Sequence, residues 1–312
     1  MKFKKKYLSN FFLVLFLVIL IIYIKNNKEE FAELRNINLW FLLMAMIIRT
    51  AQLFLSGYFI KIIVNKYLEQ KSISSFESFY ISVFSAVGNF FGFLQSGIGI
   101  RAFYLKTKYG LSISKFTMTV VIHYTITFFV FGTAGLLALI CLGSYEWKLI
   151  VPLFSLSYAA IGFILLNRIK IVERIVFSNV FRRLHNAFRL LREIPEDVKT
   201  KPQMYLSLSL LYILRFLLAM LIQFLFFKSL DLMVPFCALM LYTSISRLPL
   251  IINITPAGVG FREAILILIQ GLILIDTTSI LKLAIVERTI FVVVLSLSFL
   301  VTSIIKKLKF AE

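Results

Sequence analysis

Asn253-Ile254-Thr255-Pro256-Ala257-Gly258-Val259-Gly260-Phe261-Arg262-Glu263 interrupts an apolar run that otherwise extends from Val234 to Ile275. Pro256 lacks the amide hydrogen that a helix interior needs, and Gly258 and Gly260 allow backbone conformations closed to other residues. A helix entering this stretch is therefore expected to stop and turn, with Arg262 and Glu263 opening the returning arm. A second stretch is built the same way. Gly97, Gly99, Arg101 and Gly110 fall at one constant offset, 161 residues (258 − 97), from Gly258, Gly260, Arg262 and Gly271, and they break the apolar run Phe76 to Ile113. Two arbitrary apolar segments should not share these identities at one offset, so the chain reads as two copies of one unit.

The surroundings of both breaks are hydrocarbon-like. Of 312 residues, 60% are hydrophobic and only 16% charged, with a mean hydropathy of +0.92; an ordinary soluble domain is about 45–50% apolar and about 25% charged. Segments of roughly 20 apolar residues, enough to cross about 30 Å of lipid, run from Tyr7 to Ile24, Leu39 to Ile63, Phe116 to Leu142, Leu149 to Leu166, Tyr205 to Phe227 and Ile280 to Ile304. The expected fold is an all-α, polytopic integral membrane helical bundle, with about six full spans plus two broken re-entrant helical hairpins in inverted repeats. A soluble domain is not expected.

Charge sets the topology. The formal net charge of +19 would suggest nucleic acid in a soluble protein, but here the basic residues fill short connections between apolar segments. That is the positive-inside pattern, so no nucleic-acid partner is expected. Lys2, Lys4, Lys5 and Lys6 precede the first span, which reads as an uncleaved signal anchor. Lys66 and Lys71 follow the second span, and Lys306, Lys307 and Lys309 follow the last. Between Arg168 and Lys201, basic residues outnumber acidic ones, and Phe177, Phe181, Leu184, Phe188 and Leu191 recur at helical spacing. This stretch is expected to be a basic amphipathic helix on the inner surface of a plasma (inner) membrane, with both termini cytoplasmic.

The resulting organisation is one transmembrane domain over residues 1–312: a signal anchor and outer loop (1–38), repeat 1 (39–142), a linking span and basic helix (143–203), repeat 2 (204–304) and a cytoplasmic tail (305–312). Inverted repeats with discontinuous helices near the midplane recur in secondary transporters, where short helix ends point partial charge at a substrate. The plainer reading is that the glycines only let helices pack closely. Glycine packing does not explain why an arginine repeats with them.

Charged side chains inside spans cost roughly 2.5–3.5 kcal/mol each on insertion scales, so they normally face a bundle interior or a wet cavity. Arg49, Arg215, Arg247, Glu287 and Arg288 are of this kind, and Arg49 and Arg215 sit at similar depths in the two repeats. Guanidinium forks match phosphate bidentately, which makes an anionic head group the natural ligand. Each arginine could equally be neutralised by Glu263 or Glu287 as a structural pair. The candidate substrate-binding set is Arg49, Gly97, Gly99, Arg101, Arg215, Pro256, Gly258, Gly260, Arg262, Glu263, Glu287 and Arg288. His123 and Tyr124 fall where the second repeat has Glu287 and Arg288; a proton relay and a histidine bonded to a neighbouring helix are both open there. Cys141 and Cys237 form no metal-binding spacing and are expected to be buried structural thiols. No nucleophile elbow, phosphate-cradling loop or metal cluster is visible, so an enzyme, a cofactor and a metal are not expected.

Thr255 to Ala264, followed by Glu287 and Arg288, resembles the C-terminal motif of the lysylphosphatidylglycerol synthase transmembrane family, the flippase-like domain proteins. Gly99, Ile100, Arg101 and Ala102, with Leu105 and Gly110, resemble its first motif. The resemblance implies a membrane domain that moves or binds an aminoacylated or anionic phospholipid, or a lipid-linked substrate. It also implies a stand-alone member, since no aminoacyl-transfer domain follows the last span. His123 and Tyr124 depart from the family's usual acidic residue and arginine. The expected function is lipid transport, with a homo-oligomer left open. The alternative is a non-transporting membrane partner that presents a lipid-linked substrate to a separate enzyme.

Overall fold

The computed structural model of the chain describes residues 21, 25, 28–68, 72–91, 96–143, 202–247 and 258–311. The expected spans Tyr7 to Ile24 (Ile21 apart) and Leu149 to Leu166, the basic stretch from Arg168 to Lys201, and Pro256 lie outside these residues. Every regular element among the described residues is helical. A short helix α1 (Lys28–Ala32) and a 3-10 turn (Glu33–Asn36) lead into α2 (Leu39–Tyr67), α3 (Ser75–Phe91), α4 (Ser96–Tyr109) and α5 (Ile113–Leu142). The second half comprises α6 (Pro202–Ser229), α7 (Phe236–Arg247), α8 (Phe261–Leu268), a single turn α9 (Gln270–Ile273) and α10 (Thr277–Ala311).

Four of these helices, α2, α5, α6 and α10, are long and apolar enough to cross a membrane. Local chemistry marks their ends. The Asn38 side chain accepts the Trp40 amide at 3.1 Å, Ser112 accepts that of Lys115 at 3.3 Å, and Asp276 accepts that of Ser279 at 2.9 Å. Gly143 stops α5 in a left-handed conformation and returns its amide to Ile140. The intervening helices are shorter: α3 has 17 residues, α4 has 14, α7 has 12 and α8 has 8. At 1.5 Å per residue these arms reach about 12–26 Å, less than the roughly 30 Å of a hydrocarbon core.

α3 and α4 form an antiparallel pair. Near the closed end, Ser85 Oγ donates to the Gly97 carbonyl at 2.7 Å and Asn89 Oδ1 accepts the Gly97 amide at 2.9 Å. At the open end, Glu77 accepts hydrogen bonds from Tyr104, Lys108 and Tyr109. Gly97 is required by space, because a Cβ there would lie 1.9 Å from the Ser85 carbonyl oxygen. The second break uses glycine differently: Gly258 and Gly260 hold φ of 67° and 82°, and Gly260 caps α8. Sequence alignment of the repeats paired Gly110 with Gly271. Gly110 is left-handed at the end of α4, whereas Gly271 lies inside α9 and Leu274 takes the left-handed position.

The two halves pack as an exchange pair. α2 lies against α6; α3 lies against α10 as α7 lies against α5; and α2 meets α10 as α6 meets α5. Their directions are opposed. Lys306, near the end of α10, sits 4.0 Å from the ring of Tyr80, near the start of α3. The counterpart contact joins Cys141, near the end of α5, to Cys237 in α7, and it lies about 40 Å away at the far end of α5. α5 therefore runs away from the Lys306 end while α10 runs toward it.

The expectation of buried free thiols is corrected here: Cys141 and Cys237 form a disulfide with a Cα–Cα separation of 6.1 Å. Both sit at one end of the bundle, brought together by the packing of α5 against α7. The polarity of the bundle is that of a protein in lipid. On α2, Leu43, Met44, Ile47 and Phe54 are exposed, while Arg49 and Gln52 are buried.

Candidate functional site

Near mid-depth, charges from three helices converge, joined by an amide from a fourth. Glu287 on α10 accepts from Arg262 of α8 at 2.5 Å and from Gln223 of α6 at 3.3 Å, and it lies 3.6 Å from Arg49 of α2. Glu263, fully buried, accepts from Arg288 at 2.7 Å and from the Gly260 amide at 2.8 Å. The second carboxylate thus closes the glycine turn at the start of α8 while neutralising α10. Removing either acid would strand a guanidinium where hydrocarbon or protein surrounds it.

Arg49 faces two ways. It donates to Gln52 Oε1 at 3.2 Å and lies 4.6 Å over the ring of Phe291. It also borders a cavity of about 260 Å³ in the half of the bundle nearer Lys306. Around that cavity are Arg49, Arg101 and Arg215, together with Gln52, Ser82, Ser85, Asn89, Thr119, His123, Tyr124 and Thr127. No carboxylate lies among its described lining residues. Arg101 reaches Ser85 Oγ at 3.2 Å, and its Nε has no hydrogen-bond partner among the described residues; neither has Nη1 of Arg215. Both atoms are buried. His123, also at the cavity, shares a hydrogen bond through Nδ1 with the Tyr212 hydroxyl, and Phe59 stacks edge-on against Tyr212.

The candidate set read from the sequence therefore divides. Arg49, Arg101 and Arg215 meet at the cavity, with Gly97 packed behind it. Arg262, Glu263, Glu287 and Arg288 assemble into an ion-pair network beside it and do not line it. Gly258 and Gly260 shape the turn that delivers that network. Gly99 lies exposed on α4 with nothing near it, so it belongs to neither group. Pro256 lies outside the described residues, as does the side chain of Arg247. Sequence reading missed Gln52, Gln223 and Tyr242. Gln52 carried a signal, because an amide one helical turn after Arg49 in a span shares its buried face. Nε of Arg262, Oε1 of Gln223 and the Tyr242 hydroxyl are also buried without partners among the described residues.

Neither the curated proteins nor the solved structures yield a match to this chain. Its residues 9–298 match the family described as the lysylphosphatidylglycerol synthase TM region. With nearly its whole length matched, the chain belongs to the lysylphosphatidylglycerol synthase transmembrane family, a membrane family tied to lipid metabolism or transport.

Proposed function

We propose that the protein binds a lipid with an anionic head group in the cavity bordered by Arg49, Arg101 and Arg215, and moves that lipid between leaflets. The observation that carries this reading is the charge of the cavity: three guanidiniums border it without a carboxylate among the described lining residues. Arg49 shares Glu287 with Arg262, whereas Arg101 and Arg215 have no carboxylate against them among the described residues; buried cations so placed are costly, and an anionic ligand offsets the cost. The opposed halves and short broken arms support transport over static binding, because such arms stop inside the membrane and leave a polar path between long helices. The role is carriage, and no reaction is assigned to the site.

The orientation follows from charge. The end carrying Lys61, Lys66, Lys106, Lys108, Lys115, Lys306 and Lys307 is the cytoplasmic one on this reading, since the opposite end mixes Lys28, Arg35 and Lys228 with Glu29, Asp231 and Asp276. A disulfide at that opposite end suits an oxidising outer face. Both hairpins then re-enter, from opposite sides, in a plasma membrane.

The test is leaflet exchange in liposomes holding the purified protein, using short-chain fluorescent phosphatidylglycerol and phosphatidylcholine. Phosphatidylglycerol should cross faster than in protein-free liposomes and faster than phosphatidylcholine. Equal rates for both lipids, unchanged from protein-free liposomes, sink transport; co-purification of a separate lipid-modifying enzyme alongside that result favours a presenting role.

A further inference from the structure

The two halves do not carry the same charges at matching places. In the second half, Arg262 on the returning arm meets Glu287 on the following long helix, and Arg49 reaches across from the first half to the same carboxylate. Exchange of the halves maps Arg262 onto Arg101, Arg49 onto Arg215 and Glu287 onto His123. The two arginines keep their places, but the carboxylate is gone. Its replacement already shares a hydrogen bond with Tyr212. Glu263 and Arg288 likewise become Ala102 and Tyr124, so an ion pair is replaced by neutral groups.

We infer that Arg101 and Arg215 form a phosphate subsite in the first half, where the ligand's phosphate occupies the place that the Glu287 carboxylate fills in the second. The inference rests on the reading of the cavity as a head-group site and makes it one-sided. Three observations support it. Arg101 Nε and Arg215 Nη1 are buried, both residues border the cavity, and neither atom has a partner among the described residues. The counterpart residues, Arg262 and Arg49, each turn Nη2 to the Glu287 carboxylate and show what such a pair of arginines holds when an anion is supplied by the chain. Ser85 Oγ, already in contact with Arg101, fixes that guanidinium at the cavity edge.

The experiment uses the full chain purified in detergent, with dioctanoyl phosphatidylglycerol, dioctanoyl phosphatidylcholine and inorganic phosphate as probes. Affinity is read by titration and folding by thermal melting. Wild type should favour phosphatidylglycerol over phosphatidylcholine. R215Q should lose at least ~10-fold in phosphatidylglycerol affinity, with a melting temperature unchanged or higher, because one of two mutually repelling cations is removed. H123E, which supplies the missing carboxylate, should melt higher and bind no phosphatidylglycerol. If H123E does not fold, R215Q decides alone. Wild-type affinity in folded R215Q or H123E overturns the subsite while leaving the anionic-lipid reading intact. Absence of binding by wild type to either lipid or to phosphate overturns both. Binding of inorganic phosphate, lost in R215Q, without binding of phosphatidylglycerol supports the subsite and moves its ligand from a lipid to a soluble phosphate.

Discussion

Glu287 and Arg101 illustrate how differently two charges can be treated at similar depth. Glu287 is surrounded by donors, so E287Q should cost about 3–5 kcal/mol of stability by leaving Arg262 uncompensated. The check is thermal melting of the detergent-purified variant, with R262M/E287Q recovering much of the loss because the stranded cation is removed with its partner. A melting temperature for E287Q equal to wild type would show the pair to be dispensable. The sequence displayed these ionisable residues and even their recurrence. It did not display which arginines find an acid, because that depends on how helices far apart in the chain face one another: Arg49 reaches Glu287 only through the crossing of α2 and α10.

Among the elements, the α3–α4 hairpin is held at its open end by Glu77. Burial pushes this carboxyl up, but hydrogen bonds from Lys108, Tyr104 and Tyr109 outweigh burial and hold it below the usual carboxylate range. Burial and the same carboxylate push the Tyr104 and Tyr109 phenols up, so they remain donors. A depressed folded-state pKa means that the clasp contributes stability above the unfolded value of about 4.3 and loses it as pH falls through the folded one. Melting of wild type and E77Q should therefore differ at pH 7 and converge on acidification; a constant gap would show that Glu77 acts by packing alone. The hairpin itself was legible, since Gly97 and the polar turn broke an apolar run. The residue closing its mouth was not, because a lone Glu77 near a span start reads equally well as a solvated end.

At the scale of the molecule, the opposed halves were legible from glycine spacing and from the distribution of lysines. The disulfide was not, because its cysteines are 96 residues apart and nothing local pairs them. Orientation can be checked through it. A membrane-impermeant maleimide should label Cys141 and Cys237 from the outer face only after an impermeant reductant, and labelling confined to inside-out vesicles would reverse the assignment. Loss of the bond in C141S should cost about 2–4 kcal/mol in the melt. The exchange relation gives this bond a counterpart, the Lys306–Tyr80 contact at the opposite pole. At one pole the matched contact is a covalent bond, and at the other it is a cation–ring attraction of about 0.5–2 kcal/mol. A fastening of that second kind breaks far more readily than the first, so of these two matched contacts it is the Lys306 one that yields first when the halves are pulled apart.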